Sequence, residues 1–254
     1  MGQKTALFLV RRAGATGAAA ALVLGLAAAC HQHRAPEAAN LPRVDPRAYD
    51  AYYLWPGVRP PPASRPRQLY LLDGEIRAGG PSHFMRLRLG TPHLPATRLW
   101  LVVRTNRLDW DEASYAAILR DVAQWQQAGN RVAGLQVDFD AATRGIAGYR
   151  RFLEGLRRRL PREWQLSITG LMDWSAHGDP RELAALGAVV DEVVVQTYQG
   201  RDTIPGYAAY FRQMGDFPIP FRVAIVQDGV WQPPAELTRQ RQFRGYVVFL
   251  LRRH

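Results

Sequence analysis

The sequence contains little cysteine and almost no lysine. A single cysteine among 254 residues excludes an internal disulfide, a zinc ribbon and an iron–sulfur cluster held by several thiols. Lys4 is the only lysine, so nearly all of the 33 basic residues are arginine, a bias typical of a GC-rich coding sequence. A hydrophobic fraction of 47% and a charged fraction of 22% indicate a globular chain of one large or two small domains. We expect no metal site and no cofactor.

The N-terminal segment predicts export. Lys4, Arg11 and Arg12 form a basic region, and residues 13–29 carry no charge and are rich in Ala, Leu and Gly. A membrane-spanning helix needs about 20 strongly apolar residues, and this run is shorter and diluted with Ala and Gly. The small residues before Cys30 resemble a bacterial lipobox, which implies that residues 1–29 are a lipoprotein signal peptide and that Cys30 is lipidated.

Two residues bear on the anchor. Leu26 lies four positions before Cys30, whereas the lipobox leucine usually lies three before, so an ordinary cleaved signal and an uncleaved anchor remain alternatives. Residue 31 is His31 rather than aspartate, so retention in the inner membrane is not signalled. In an envelope with two membranes we expect an anchor in the outer membrane, facing the periplasm.

The positive charge does not require a nucleic-acid partner. Positions 30–254 carry 30 basic and 22 acidic residues, a net charge of +8, and such a balance is compatible with nucleic-acid binding. However, the arginines are spread along the chain, and export removes it from most nucleic acid. We expect a solvated basic face that lies close to anionic lipid or wall polymer, and no nucleic-acid partner.

Composition divides the mature chain near residue 66. Residues 30–66 are rich in Pro and Arg, include a stiff triple proline at 60–62, and predict a tether. Residues 49–55 within it carry too much aromatic surface for a linker and are expected to dock on the domain. Residues 67–254 are predicted to form that domain.

From residue 67 onward, short apolar runs alternate with helical patterns. The predicted strands are Gln68–Asp73, Phe84–Leu89, Arg98–Arg104, Val132–Phe139, Gln165–Leu171, Glu192–Tyr198, Phe221–Val226 and Tyr246–Leu250. The predicted helices are Asp111–Gly129, Ile146–Leu160, Pro180–Leu186 and Tyr207–Gly215. The alternation predicts a parallel (β/α)8 TIM-like barrel, with an open doubly wound sheet as the alternative. Because no full helix fits between the first two predicted strands, the first half should be irregular.

Residues 132–140 carry the strongest chemical signal. On a strand, Gln136, Asp138 and Asp140 share one face, and the residues between them are apolar. The polar face should therefore point into the barrel and toward its C-terminal mouth. Two neighbouring carboxylates repel each other, which raises the pKa of one and suits a proton donor beside an ionised partner. The structural alternative is that Asp140 caps a helix and Asp138 pairs with an arginine such as Arg104.

Other predicted strand ends converge on the same mouth. Carboxylates, amides and aromatic rings suit a carbohydrate, whose hydroxyls take bidentate partners and whose ring faces stack on aromatic side chains. Asp73 should share a face with Glu75, and Tyr198 should lie outermost on its strand. The candidate substrate-binding residues are Glu75, Arg104, Gln136, Trp174, Gln196 and Gln227. Of these, Glu75, Arg104 and Gln227 could equally be ordinary rim residues.

Four motifs together resemble a known family. They are Gly134-Leu-Gln-Val-Asp-Phe-Asp140, Tyr149-x-x-Phe-Leu153, Leu166-Ser-Ile-Thr-Gly-Leu-Met-Asp-Trp174 and Val193-Val-Val-Gln-Thr-Tyr-Gln199. This set is similar to the bacterial domain-of-unknown-function family 3142, over a stretch from about Leu69 to Phe249. The resemblance implies no established activity.

The first motif is also similar to the D-G-x-D-x-D-x-E signature of family-18 glycoside hydrolases, which are chitinase-like barrels. Gly134 matches the glycine, Asp138 the third aspartate, and Asp140 the final glutamate, which protonates the glycosidic oxygen in that family. Gln136 and Ala133 replace the second and first aspartates. Asp140 is also one methylene shorter than glutamate, which shifts the proton donor by more than catalytic geometry normally tolerates.

This second resemblance implies a substrate-assisted mechanism. Asp140 would be the general acid, Asp138 would orient the acetamido group of the substrate, and Tyr198 would hold the oxazolinium intermediate, since it falls where that family has the tyrosine of M-x-Y. Glu75 is an alternative acid or base from across the barrel.

The sequence therefore predicts a lipid-anchored, glycoside-hydrolase-like barrel that acts on an envelope or extracellular polysaccharide carrying N-acetylated amino sugars. One alternative is a barrel of the same ancestry that binds a glycan or wall polymer without catalysis. Another is an assembly lipoprotein that works through its basic face and residues 49–55. A deep mouth and a raised carboxyl pKa would favour the enzyme, whereas a shallow groove with both carboxylates tied to arginines would favour binding. A closed mouth would favour assembly.

Overall fold

A computed structural model describes residues 41–140 and 145–252 of the chain. The predicted signal peptide, Cys30 and the first part of the predicted tether lie outside the described residues. In the part that is described, no helix is both long and apolar enough to span a membrane.

The described chain alternates strands and helices. The strands are β1 (Ala51–Leu54), β2 (Gln68–Ile76), β3 (Phe84–Arg86), β4 (Arg98–Thr105), β5 (Arg131–Asp138), β6 (Gln165–Leu171), β7 (Glu192–Gln196), β8 (Tyr198–Gln199), β9 (Asp202–Thr203), β10 (Phe221–Val226) and β11 (Phe243–Phe249). The α-helices are α1 (Glu112–Gln127), α2 (Ile146–Arg159), α3 (Met172–His177), α4 (Pro180–Gly187) and α5 (Tyr207–Gln213). Short 3₁₀ turns cover Pro46–Ala48 and Leu237–Arg239.

Eight of these strands close into a ring. Their order is β1-β2-β4-β5-β6-β7-β10-β11, and β11 pairs with β1 to complete the barrel. Every pairing in the ring is parallel. The short strand β3 lies outside the ring, antiparallel to β2, and β8 and β9 form a separate two-stranded ribbon. This architecture is a (β/α)8 TIM-like barrel, as the sequence predicts.

One of the eight ring strands differs from the predicted set. The segment 84–89 was expected in the barrel, but it supplies only β3, whose residues beyond Phe84 are partly or fully exposed. The missing strand is β1, which lies within residues 30–66, the predicted tether. All four residues of β1 are buried, and Tyr52 pairs with Leu69 on one side and Val248 on the other. The barrel therefore begins before residue 67, because these aromatic residues form a strand rather than dock as an appendage.

Helices cover only part of the barrel. The connections from β4 round to β10 carry the five helices, whereas the described connections β1–β2, β2–β4 and β10–β11 carry none. Helix α1 begins at an N-cap in which the Asp111 side chain accepts a hydrogen bond from the Ser114 backbone N–H at 2.8 Å. The predicted irregularity of the first half is thus confirmed.

The alternation of side chains along the strands produces two cores. One face packs outward against the helices, where Ile118, Leu153 and Leu186 are fully buried. The other face fills the barrel with a smaller cluster that includes Tyr53, Tyr70 and Trp100. Tyr70 and Trp100 stack almost in parallel, with ring centroids 6.0 Å apart.

Gly134, the glycine of the central motif, is required by the close approach of β5 and β6. A Cβ atom at this position would lie 1.9 Å from the carbonyl oxygen of Gln165. Any side chain would therefore force the two strands apart. The glycine fixes the register that carries Gln136 and Asp138 into the interior.

Candidate active site at the barrel mouth

A cavity of about 200 Å³ opens where the parallel strands end. Its walls combine charged or polar side chains with aromatic ones. The polar part contains Arg104, Asp138, Asp140, Thr169 and Gln196, and the aromatic part contains Tyr53, Trp55, Tyr198 and Phe249. A second cavity of about 220 Å³ continues from it past Arg104, Asp138 and Asp140 toward Asn106. The mouth is thus open, and it is the end of the barrel at which enzymes of this fold place their sites.

Asp138 is the buried carboxylate of this mouth. Its side chain is 14% exposed, and it accepts a hydrogen bond of 3.0 Å from the Thr169 hydroxyl. The Arg104 guanidinium lies 3.9 Å away, at the outer limit of an ion pair. Burial raises the pKa of Asp138 and the charge of Asp140 adds to this, whereas Arg104 and Thr169 act in the opposite direction. The raised pKa agrees with the sequence prediction, although burial rather than like charge is its main cause.

Asp140 lies at the rim. It is exposed and lines both cavities at the mouth. The residues that follow it, 141–144, lie outside the described part of the chain, so the alternative role as a helix cap is not tested. The structure therefore places a buried carboxyl and an exposed carboxyl on one wall, two residues apart on the same strand end.

The opposite wall is aromatic. Tyr198 stacks on Phe249 with ring centroids 5.1 Å apart, and Trp55 packs edge-on against Phe249 at 5.2 Å. Burial raises the pKa of the Tyr198 hydroxyl well above its ordinary value, so this group keeps its proton and can donate a hydrogen bond. Faces and edges of this kind bind the apolar faces of sugar rings.

Gln136 lies below the cavity and does not line it. It is fully buried; its oxygen accepts a 2.7 Å hydrogen bond from the Tyr53 hydroxyl, and its nitrogen donates one of 2.8 Å to Ser167. The Ser167 hydroxyl in turn donates a hydrogen bond of 3.3 Å to the Glu192 carboxylate. This carboxylate also accepts one of 3.1 Å from the Arg222 guanidinium. The prediction that Gln136 contacts substrate is therefore wrong. It belongs to a polar layer that forms the floor of the mouth.

Three other predicted substrate-binding residues lie elsewhere. Glu75 accepts a hydrogen bond from the Arg77 guanidinium and does not line the mouth cavity. Gln227 lines a neighbouring cavity, where its side chain accepts from the backbone N–H of Leu251 at 3.2 Å. Trp174 is 1% exposed and packs in the outer core beneath α2, because α3 turns away from the mouth directly after β6.

Asp73 also points away from the mouth. The register between β2 and β4 shifts between Leu72 and Gly74, and this bulge directs Asp73 outward under α1. There its carboxylate accepts a hydrogen bond of 3.1 Å from the Trp125 indole. Burial, together with the neighbouring carboxyl of Asp121, raises the pKa of Asp73 to about 8. The pair is a buried feature of the scaffold.

Several residues of the mouth were missed by sequence reasoning. Tyr53 and Trp55 come from the segment assigned to the tether, Phe249 ends the last strand, and Thr169 sits inside β6. The dense aromatic run at 49–55 was the available signal for the first two, since such a run is unusual in a linker.

The structure describes no cluster of three or more His, Cys, Asp or Glu side chains that could hold a metal ion.

The fold of the described residues is a TIM-like barrel, and the site at its mouth combines carboxylates with aromatic side chains. Within it, residues 97–211 match the model of a family described as "Domain of unknown function (DUF3142)". The match confirms the first resemblance over those residues, which contain all four motifs. A search of curated proteins finds no match.

Solved structures with a similar fold include two named enzymes. The spore cortex-lytic enzyme SleL of Bacillus cereus is 17% identical with a TM-score of 0.46, and the similarity covers 70% of this chain and 50% of that one. This chain therefore spans half the length of SleL. The chitinase domain of the spore coat protein CotE from Clostridium difficile is 15% identical with a TM-score of 0.47, covering 80% and 73%. The xylanase and α-amylase inhibitor XAIP-I is 11% identical with a TM-score of 0.46, covering 83% and 93%.

Proposed function

We propose that this protein is an exported, lipid-anchored glycoside hydrolase that cleaves an envelope or extracellular polysaccharide containing N-acetylated amino sugars. The observation that carries the proposal is the placement of Asp138, a buried carboxyl with a raised pKa, in an open cavity whose other wall is aromatic. Titratable groups perturbed in this way, in a cleft, are typical of catalytic sites.

Each group has a role in the proposed reaction. The sugar ring lies against Tyr198 and Trp55, and its acetamido group faces Asp138. The acetamido oxygen attacks the anomeric carbon while Asp140 donates a proton to the departing glycosidic oxygen. Water then opens the cyclic intermediate and returns a proton to Asp140. Burial raises the pKa of Asp138, whereas the Arg104 guanidinium beside it favours the ionised form.

A second candidate function is glycan binding without catalysis. It is favoured by Gln136, which uses both ends of its amide on Tyr53 and Ser167 at a position where the resembled signature has an aspartate. A chain that has replaced this carboxylate by a structural amide could retain the aromatic wall and bind sugar only.

The test is the release of reducing ends from a panel of envelope and extracellular polysaccharides by the full-length chain in neutral detergent. Asp138→Asn and Asp140→Asn should each reduce release at least a hundredfold, the scale of a lost proton-transfer group. Asp216→Asn, at an exposed position outside the mouth, is the matched control. Equal thermal unfolding of all variants rules out misfolding. Retention on one polymer without release would support the glycan-binding candidate, and neither release nor retention would contradict both.

The anchor is tested separately. We propose that Cys30 is lipidated and holds the barrel on the periplasmic side of the outer membrane. Cells that express the chain and are fed labelled palmitate should label it, and Cys30→Ser should abolish the label and release the chain from the membrane fraction. An unlabelled wild-type chain that is still exported would identify an ordinary cleaved signal instead.

A further inference from the structure

A larger cavity, of about 600 Å³, lies beside the mouth and has no part in the proposed reaction. It is formed by the segment before β1, the β1–β2 connection and the chain that follows β11. Ligand-binding cavities usually measure about 300–1,000 Å³, so this cavity is of ligand size, whereas the mouth alone is smaller. Its charged lining residues are Arg43, Arg47, Arg59, Arg252, Asp45 and Asp228.

A third cavity lies between these two. An intermediate section of about 380 Å³ shares Trp55 and Phe249 with the mouth. At its other end it shares Val58, Leu251 and Arg252 with the large cavity. The shared residues thus place the three cavities in a row, which we call the groove, from the carboxylates, past an apolar and aromatic stretch, to the arginines.

Two of the arginines are held in place without losing their charge. The Arg43 guanidinium donates to the Asp228 carbonyl at 2.8 Å, and that of Arg252 donates to the Pro56 carbonyl at 3.2 Å. Backbone carbonyls fix the orientation of a guanidinium but do not neutralise it. Donor positions on both groups remain available for an anion.

The other charges leave the cavity positive. The side chains of Arg47 and Arg59 form no hydrogen bond or ion pair within residues 41–140 and 145–252. The Asp45 carboxylate accepts from the Arg47 backbone N–H at 3.0 Å, and Asp228 accepts from the Gln227 amide at 3.2 Å. Four guanidinium groups therefore face two carboxylates that are already engaged, a composition that attracts anions.

The walls of the cavity are stiff. Pro60, Pro61 and Pro62 form one side, and the Ser64 hydroxyl closes the loop on the Pro61 carbonyl at 2.7 Å. Positive φ angles of 61° occur at Ala63, directly after the prolines, and at Asp228, which also lines the cavity. They are the two positive-φ residues other than glycine in the described chain. A rigid wall reduces the entropy lost when a ligand binds.

We propose that the groove binds a single polysaccharide chain and that its arginine-lined part binds an acidic substituent, a carboxylate, on a sugar unit next to the one in the mouth. This inference rests on the proposed function and names its substrate class as an anionic glycan. Gln227 then contacts substrate here rather than in the mouth. The planar guanidinium groups favour a carboxylate, which they can bind through paired hydrogen bonds.

The test compares two oligosaccharides of the same length and linkage that differ in whether they carry acidic substituents. Chitotetraose is neutral, whereas the tetrasaccharide of alternating N-acetylglucosamine and N-acetylmuramic acid carries carboxylates. The full-length chain should bind the acidic tetrasaccharide more tightly at low salt. The double variant Arg47→Gln/Arg59→Gln should weaken that binding about tenfold, the scale of a lost charge-assisted hydrogen bond, and leave chitotetraose binding unchanged.

Arg65→Gln is the matched control, because Arg65 is an exposed arginine of the same loop that does not line the cavity. If Arg65→Gln weakened binding of the acidic tetrasaccharide equally, the effect would come from the overall charge of the chain, and the proposal would be overturned. Equal affinity of the wild type for the two sugars would also overturn it. If the arginines bound glycerol 3-phosphate more tightly than the acidic tetrasaccharide, the cavity would be assigned to a lipid headgroup instead. Asp138→Asn reports on the proposed function separately, since it should abolish hydrolysis while the preference for the acidic sugar persists.

Discussion

The Tyr53 hydroxyl donates a hydrogen bond of 2.7 Å to the side-chain oxygen of Gln136 across the inside of the barrel. The two residues are 83 positions apart in sequence, and their strands, β1 and β5, are not neighbours in the ring. It also joins the aromatic segment before the predicted domain to the central motif. The floor of the mouth therefore depends on a strand that the sequence pattern assigned to the tether.

Removing this hydroxyl should destabilise the barrel. Tyr53→Phe leaves the buried oxygen of Gln136 without its partner, which costs about 1–3 kcal/mol of unfolding free energy. Urea denaturation measures the difference. Tyr210→Phe is the control, since no described residue bonds to that hydroxyl. If Tyr53→Phe lowered the free energy of unfolding no more than Tyr210→Phe does, Gln136 must find another hydrogen-bond partner.

Gly134→Ala should be among the most damaging single changes in the chain. The new methyl group would meet the Gln165 carbonyl at 1.9 Å, so β5 and β6 must separate. We expect a loss of about 4 kcal/mol or failure to fold. In Gly155→Ala, on α2, the nearest atoms are flexible arginine ends at 3.8 Å, and we expect a gain of up to about 1 kcal/mol. Similar unfolding midpoints for both variants would contradict this reading of the β5–β6 contact.

Stability should fall as the pH rises through the neutral range. Burial and Asp121 raise the pKa of Asp73 from 3.8 to about 8, so between these values the folded state holds a proton that the unfolded chain releases. The free energy of unfolding therefore decreases as the pH rises from the unfolded to the folded pKa of Asp73, and it decreases no further from this cause above the folded pKa. Asp73→Asn cannot ionise and should flatten the profile.

Urea midpoints at about pH 5 and about pH 9 test this dependence. The Asp73→Asn variant should gain stability relative to wild type toward the alkaline end. Asp216→Asn, at an exposed site, should follow the wild type throughout. Parallel profiles for all three chains would show that Asp73 is ionised in the folded state at neutral pH.

Substitutions of two tryptophans should affect different properties, one the stability of the fold and the other glycan binding. Trp174 is buried in the outer core, so Trp174→Ala should cost about 3–5 kcal/mol of unfolding free energy. Trp55 is partly exposed at the junction of two cavities, so Trp55→Ala should weaken glycan binding about tenfold with a smaller loss of stability. The two variants are compared by urea denaturation and by affinity for chitotetraose. If Trp174→Ala weakened glycan binding more than it destabilised the fold, Trp174 would have to contact the glycan.

Much of the barrel could be predicted from local patterns. Seven of the eight ring strands and the helices from α1 to α5, except α3, match predicted segments. Strand β1 could not be found in this way, because four buried residues show no alternation. Its identity as a strand comes from its partners β2 and β11, which contact it only in the folded chain.

The site was predicted in part. Asp138, Asp140, Arg104, Gln196 and Tyr198 lie together as the strand pattern indicates, since alternate residues of parallel strands share the inside of a barrel. Trp174 and Asp73 could not be placed, because a helix turn and a strand bulge each reverse the face that a simple alternation assigns.

The sequence by itself determined the parallel alternation of strands and helices and the carboxylate-bearing strand, since these follow from hydrophobic periodicity and from the alternation of β5. Only the tertiary structure decided which of these groups share a cavity, because that depends on barrel closure through β1 and on the depth of each side chain. Closure puts Gln136 in the sealed floor and Asp138 at the mouth, although the two are separated by one residue. It also brings the tether-proximal arginines against the chain after β11, a juxtaposition of distant segments that no local pattern encodes.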